Sequence, residues 1–123
     1  MKFLCLAYEE ERTLNALSAS EWERLRAETI DYVEQLQRTG QLVVTEALES
    51  VGTARTVRVR DGQLSTTDGP FAETRETLGG IFLIDVPDLD AALQVAARWP
   101  SARFGSIEVR PIVGPLRTGS RYQ

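Results

Sequence analysis

Hydrophobic residues follow two different periods along this chain, and the switches between these periods predict the order of its elements. Residues 2–8 and 81–86 are apolar on both alternating faces, which is typical of strands that are covered on two sides. Residues 53–60 alternate between apolar and polar positions, and the Asp-Gly dipeptide after them is a type I′ turn signature that leads into residues 63–67. This second pattern predicts a half-exposed antiparallel hairpin.

Two further segments show the helical period. Either Ser18 or Ser20 can begin a capping box, because a Glu stands three residues after each, and apolar residues then recur at helical spacing until Gly40. A second helix is predicted to begin at Asp88 and to end at Pro100. The faces predicted to be buried are Trp22, Leu25, Thr29, Ile30, Val33 and Leu36 in the first helix, and Leu89, Ala92, Leu93, Ala96 and Ala97 in the second.

Strands at residues 41–48 and 106–110 complete the order strand, helix, strand, hairpin, strand, helix, strand. This is the split βαβ pattern of a ferredoxin-like α+β fold with an added hairpin, and it places both helices on one face of the sheet. The other face is also apolar, so something has to cover it. A second copy that packs sheet against sheet is the commonest solution, and we therefore expect a homodimer built as an α+β barrel.

The composition excludes more chemistry than it supplies. The 123 residues contain 18 Asp and Glu, 14 Lys and Arg and no His, which gives a net charge of −4. Because the chain has no basic cluster, it is a poor match for nucleic acid or an anionic membrane. Without His there is no Ser-His-Asp or Cys-His pair, no His zinc site and no imidazole proton shuttle. An acid or base must therefore be a carboxylate, Lys, Tyr or Cys.

Other features argue against a disulfide, an export signal and a bound cofactor. The single cysteine, Cys5, lies in an apolar run and is predicted to be a buried strand residue. The first apolar run is too short for a signal peptide, and no segment approaches a membrane span, so we expect a cytoplasmic protein. The carboxylates lack EF-hand spacing and the Gly-Gly pair at 79–80 lacks the residues of a phosphate loop, so we expect no metal and no cofactor.

Residues 67–80 read Thr-Asp-Gly-Pro-Phe-Ala-Glu-Thr-Arg-Glu-Thr-Leu-Gly-Gly, and this stretch closely resembles the signature of the DGPF, or YCII-related, domain family. The match extends through residues 56–62 before the signature and through residues 84–93 and 108–112 after it. It covers the chain to about residue 113, so we expect one domain at residues 1–113 and a tail at 114–123.

The resemblance implies a small bacterial protein with a ferredoxin-like fold, usually a dimeric α+β barrel, whose biochemical role is mostly unassigned. Members of this group are sometimes associated with extracytoplasmic-function sigma factors, which implies a link to sigma-factor regulation as an accessory protein. A subgroup of the wider superfamily has a His-Asp pair that is proposed to be catalytic. That mechanism does not transfer to a chain without His.

The turn formed by residues 68–71 has a structural and a functional interpretation. In the first, Asp68 accepts backbone N–H bonds, Gly69 supplies a special backbone conformation, and Phe71 fills the core. In the second, the loop surrounds a cleft near the mouth of a barrel, where Asp68 acts as acid or base and Arg75 pairs with an anionic ligand or with a neighbouring Glu. Glu9, beside Tyr8, could line the same cleft. The candidate ligand-binding residues are Tyr8, Asp68, Phe71, Glu73, Arg75 and Glu76.

Two classes of function remain open at this point. The first is a binding or regulatory accessory protein that holds a small anionic or aromatic molecule, or a partner chain, in a cleft at the dimeric barrel. The second is a small cofactor-free enzyme that performs proton transfer, isomerisation or elimination with a carboxylate base. The missing His favours the first class, whereas the signature loop is compatible with both.

Overall fold

The computed structural model describes residues 1–115, so nearly all of the predicted tail at 114–123 lies outside the described residues. The described part of the chain forms six strands, three α-helices and two short 3-10 helices. The strands are β1 (Lys2–Glu9), β2 (Leu42–Ala47), β3 (Arg55–Arg60), β4 (Gln63–Asp68), β5 (Thr77–Asp85) and β6 (Gly105–Pro111). The α-helices are α1 (Glu11–Asn15), α2 (Ala19–Arg38) and α3 (Leu89–Ala97), and the 3-10 helices span Val51–Thr53 and Pro100–Arg103.

Four strands form one antiparallel sheet in the order β2-β5-β1-β6, and β3 pairs with β4 in a separate hairpin. The helix α2 connects β1 to β2, and α3 connects β5 to β6. Side chains from both helices share one hydrophobic core with β1 and β5, so both helices lie on the same face of the sheet. The predicted ferredoxin-like α+β fold with an added hairpin is therefore confirmed.

Strand alternation in β1 divides its side chains between the core and the opposite face. Phe3 and Cys5 face the helices, are fully buried, and pair with Ile84 and Phe82 of β5. Burial raises the pKa of the Cys5 thiol to about 11, so the prediction of a buried strand cysteine is confirmed. The intervening Leu4, Leu6 and Tyr8 lie on the face without helices and are half-buried.

The longest helix begins at one of the two predicted capping boxes. Ser18 is the N-cap of α2: its hydroxyl accepts a hydrogen bond from the backbone N–H of Glu21 at 3.1 Å, and the Glu21 carboxylate accepts one from the N–H of Ser18 at 2.9 Å. The helix ends at Arg38, and Gly40 follows with φ +75°, as predicted for a residue just past a helix end.

Several predicted details are wrong, and each error has a local cause. The short helix α1, which begins at Glu11, is not among the predicted elements. The strand predicted at 81–86 begins earlier, at Thr77, because the pairing with β1 continues through the two glycines. The buried face of α2 consists of Leu25, Tyr32 and Leu36, and that of α3 of Ala92, Val95 and Ala96. The predicted core residues Trp22, Ile30, Leu89, Leu93 and Ala97 are exposed.

We expect Ser18→Ala to lower the free energy of unfolding by about 1 kcal/mol, because a helix N-terminus loses one satisfied N–H group. Ser20→Ala is the matched control, since Ser20 lies on the same exposed turn but is not the N-cap. Urea unfolding followed by circular dichroism measures the free energy of unfolding of both variants. Equal losses in the two variants would contradict this assignment of the cap.

Candidate functional site

A cavity of about 460 Å³ lies between α2 and the sheet. On the sheet side it is lined by small residues, so the helix does not close against the strands there: Ala7, Ala47, Gly79 and Gly80. Large apolar side chains line the other sides: Leu14, Trp22, Leu25, Ile30, Val33 and Trp99. The combination of a small-residue floor and bulky walls leaves room for a compact ligand.

The inner wall of this cavity is a fixed aromatic ring. Trp99 stacks on Phe82 with ring centroids 3.9 Å apart and an interplanar angle of 8°, and it meets Tyr32 edge-on at 6.0 Å. The hydroxyl of Tyr32 donates a hydrogen bond to the carbonyl oxygen of Val95 at 2.8 Å, which joins α2 to α3 behind the ring. At the outer side Trp22 is 46% exposed, so one indole is rigid and the other is accessible.

Glu9, at the end of β1, brings a carboxylate into the cavity. Burial raises the pKa of Glu9, and the negative charge of Glu11 raises it further. Glu11 is held in place because its carboxylate accepts hydrogen bonds from the Ser50 hydroxyl at 2.8 Å and the Val51 backbone N–H at 2.6 Å. The site therefore combines a mostly apolar, aromatic lining, to which Arg26 and Glu46 also contribute, with the Glu9 carboxyl group, which keeps its proton to higher pH than an exposed Glu.

A second cavity, of about 530 Å³, lies between the hairpin, the signature loop and the end of β1. Two of the predicted ligand-binding residues, Tyr8 and Phe71, line it. Phe71 is 79% exposed, so the expectation that it fills the core is wrong. Tyr8 and Glu9 are neighbours in β1, but each lines a different cavity, because successive side chains of a strand point to opposite faces.

Asp68 lies at the end of β4 with its side chain 91% exposed and forms an ion pair with Arg55 at 3.1 Å. The expected hydrogen bonds from the following backbone N–H groups to its carboxylate are not formed, since the N–H of Gly69 donates to the carbonyl oxygen of Ala54. Gly69 has φ +94°, which confirms the special backbone conformation predicted for it. A role for Asp68 as acid or base stays a prediction.

The other charged residues of the loop are separate from both cavities and from one another. Arg75 pairs with Glu10 at 3.4 Å, whereas the sequence suggested a neighbouring Glu in the loop. The Glu76 carboxylate accepts a hydrogen bond from the Ser106 hydroxyl at 2.8 Å, and Glu73 is exposed. Of the six predicted ligand-binding residues, the structure thus brings only Tyr8 and Phe71 together around one cavity.

Glu9 is the functional candidate that the predicted set leaves out. The available signal is its position: a carboxylate that follows a two-sided apolar strand and precedes two more acidic residues is placed at the edge of the core. Within residues 1–115, His, Cys, Asp and Glu side chains form no group of three or more that could hold a metal ion. No helix in that part of the chain is long and apolar enough to span a membrane.

The fold is shared with a solved enzyme structure. The chain is similar to 5-chloro-2-hydroxyhydroquinone dehydrochlorinase from Burkholderia phenoliruptrix AC1100 in complex with 2,5-dihydroxybenzoquinone, with a TM-score of 0.54 and 14% sequence identity. The match covers 91% of this chain and 93% of the enzyme chain. At this level of identity the likeness shows a common fold.

Sequence comparisons give the family. The chain is 36% identical over 114 residues to an uncharacterized protein of Rhizobium meliloti (strain 1021), a match that covers 91% of this chain and 92% of that protein. The YCII-related domain matches residues 1–115, which is the whole of the described sheet, helices and hairpin. The chain therefore belongs to the YCII-related domain family.

Proposed function

We propose that this protein binds a small, neutral aromatic molecule in the cavity between α2 and the sheet. The single observation that carries the proposal is an aromatic-walled cavity of about 460 Å³ that contains a half-buried carboxyl group. A cavity of this size is within the usual range for small-molecule sites, which are mostly apolar with a few placed polar groups. Glu9 is the group that meets a hydroxyl or amino substituent on the ring.

The proposed ligand is aromatic because of the two indoles. Trp99 is held flat by Phe82 and offers one face of the site without losing conformational entropy when a ring packs against it. The proposed ligand is neutral because the negative charge of Glu11, which also raises the pKa of Glu9, would repel a ligand carboxylate at the end of β1. Arg26 also lines the cavity, but it lies near Glu23, at 4.0 Å.

The solved relative supports a ring-shaped ligand. Its bound 2,5-dihydroxybenzoquinone is a six-membered quinone ring with acidic hydroxyl substituents, so it supports the size and ring shape of the proposed ligand and not its charge. At 14% identity this support concerns the kind of ligand that the fold can hold, and no residue role is carried over from that enzyme.

A second candidate function is catalysis of proton transfer on such a ring. The observation in its favour is the raised pKa of Glu9, because a carboxyl group that holds its proton to a higher pH than an exposed Glu is better suited to act as a general acid and then as a base. Binding and catalysis are distinguished by Glu9→Gln. Because Glu9→Gln leaves the aromatic side chains of the cavity in place, ligand binding should survive whether the protein only binds the ligand or also converts it. Turnover is lost only if Glu9 transfers a proton.

We also propose that the protein is a homodimer. The sheet face without helices carries apolar residues from three strands: Leu4, Leu6, Tyr8, Val44, Leu78, Ile81 and Leu83. A second copy packed on this face would bury roughly 1,500 Å² or more, which is the size of a stable interface. In that arrangement the cavity lined by Tyr8 and Phe71 lies at the edge of the interface and forms the cleft at the dimeric barrel.

The signature loop keeps a proposed binding role of its own. Arg75 is 84% exposed and pairs with Glu10, and we propose that it offers its positive charge to an anionic ligand, with Asp68, Glu73 and Glu76 as the other charged residues of the loop. We further propose a cytoplasmic location, and also a regulatory link to a sigma factor, which membership of the family supports. The effects of Asp68→Asn and Arg75→Ala on ligand binding separate this loop from the Glu9 cavity.

We expect catechol and hydroquinone to quench tryptophan fluorescence on binding, and benzoate to bind more weakly. Trp22→Ala should weaken catechol by about tenfold, since a lost aromatic contact is worth roughly 1 kcal/mol and some apolar burial goes with it. Leu64→Ala, on the exposed hairpin, is the control and should leave binding unchanged. Binding that survives Trp22→Ala but is lost in Asp68→Asn or Arg75→Ala would place the site at the loop instead.

We expect light scattering to give about twice the chain mass of 13.7 kDa at micromolar concentration. Leu6→Lys puts a charge at the centre of the apolar sheet face and should yield a folded monomer. Glu34→Lys changes charge on the exposed side of α2 and should remain a dimer. A monomer mass for the parent protein with unchanged stability would refute the proposed interface.

The raised pKa of Glu9 has a definite effect on stability. The folded protein holds this proton at pH values where the unfolded chain has lost it, so the free energy of unfolding falls as the pH rises from the ordinary to the raised value. Glu9→Gln should lose less stability than the parent over this interval, which thermal melts between about pH 4 and about pH 8 cover. The control Glu34→Gln should follow the parent. Parallel curves for Glu9→Gln and the parent would rule out a perturbed Glu9.

A further inference from the structure

Gly79 forms a β-bulge directly beside the Glu9 cavity. In the pairing of β1 with β5, Ala7 is opposite Gly80 and Tyr8 is opposite Leu78, so Gly79 is the extra residue. Its carbonyl oxygen accepts a hydrogen bond from the backbone N–H of Leu48 at 2.8 Å, which fixes the bulge from the side of β2. Gly79 does not have a positive φ, so its backbone conformation alone does not require glycine.

The space beside Gly79 is occupied by the side chain of Glu9. A Cβ atom at Gly79 would overlap the Oε1 atom of Glu9 and would lie 2.7 Å from its Cδ and 2.9 Å from its Cγ. Its three nearest neighbours all belong to that one side chain. The Glu9 carboxylate therefore lies directly on the backbone of the bulge.

At two nearby glycines an added Cβ atom would contact backbone atoms and not a side chain, so Gly79 differs from both. A Cβ at Gly80 would lie 3.0 Å from the carbonyl oxygen of Glu46, and a Cβ at Gly105 would overlap the carbonyl oxygen of Tyr8. Glycine at these two positions lets strands approach closely. At position 79, by contrast, the lack of a side chain leaves room for the Glu9 carboxylate.

We infer that Gly79 is a positioning residue for Glu9, and that the bulge is a seat that holds the Glu9 carboxyl group turned into the cavity. The inference rests on the proposed function, because the seat matters for binding only if a ligand meets Glu9. Its structural part, the dependence of Glu9 on Gly79, can be measured without any ligand.

The surroundings of Glu9 decide what leaving the seat would do. The charged groups around this end of the cavity are Glu11 of α1, Arg26 of α2, Glu46 of β2 and Glu49 after it. The adjacent glycines of β5 and β6 contribute no charge. A carboxylate pushed out of the seat moves toward solvent, so it loses the burial that raises its pKa.

The test is an NMR titration of the Glu9 side-chain carboxyl carbon in the parent, in Gly79→Ala and in the matched control Gly80→Ala. We expect the titration midpoint of Glu9 to fall toward the ordinary Glu value in Gly79→Ala and to stay near the parent value in Gly80→Ala. A folded Gly79→Ala protein with an unchanged Glu9 midpoint overturns the inference, and so does an equal fall in Gly80→Ala.

A double variant covers the case in which Gly79→Ala folds poorly. If the added methyl group collides with the Glu9 side chain, Gly79→Ala should lower the melting temperature in the parent by several degrees and far less in a Glu9→Ala background. An equal loss in both backgrounds means that Gly79 serves the backbone, and the inference fails. Because no ligand is used, a failure of catechol binding would refute the proposed function and leave this result standing.

Discussion

Trp99 lies flat against Phe82, and this stacked pair is where the core of the molecule ends and its cavity begins. The same indole meets Tyr32, whose hydroxyl ties α2 to α3 through Val95. One aromatic cluster therefore sets the distance between the two helices and the sheet. If α2 could move closer to the strands, the space above Ala7 and Gly80 would be filled, and the chain would have a core without a site.

The alternation of side chains along β1 is a second constraint on the structure. Phe3, Cys5 and Ala7 face the helices, and Glu9 continues this series into the cavity, while Tyr8 belongs to the opposite face. The two sides of one strand thus serve different purposes: one carries the proposed ligand site, and the other carries the apolar surface proposed for a second copy. A register shift of one residue would exchange them, which is why the pairing of β1 with β5 and β6 has to be strongly specified.

Sequence patterns predict the strands, the hairpin, the glycine after α2 and the split βαβ order, because each depends on local periodicity or turn chemistry. They fail where tertiary packing decides. Trp22 and Ile30 fit the helical stripe of α2 but are exposed, since the sheet below them offers small residues and no surface to pack on. The strand β5 passes through Gly79 because of pairing with β1, and no local preference indicates that. The sequence favours the signature loop and gives Glu9 only a place beside Tyr8, whereas the structure separates the two residues and shows Glu9 inside the cavity between α2 and the sheet.

The hairpin of β3 and β4 stands apart from this arrangement. It is joined to itself by its own ladder, every residue of β4 is exposed, and its base is fastened by the bonds of Gly69 to Ala54 and Thr56. A two-stranded ribbon of this kind is marginally stable alone, so it can open locally without disturbing the aromatic cluster. The fold thus joins a four-stranded sheet and its helices to a hairpin that is held mainly by its own ladder. Opening of the hairpin would change the cavity beside Tyr8 and Phe71, which the hairpin helps to line, and would leave the shape of the Glu9 cavity intact.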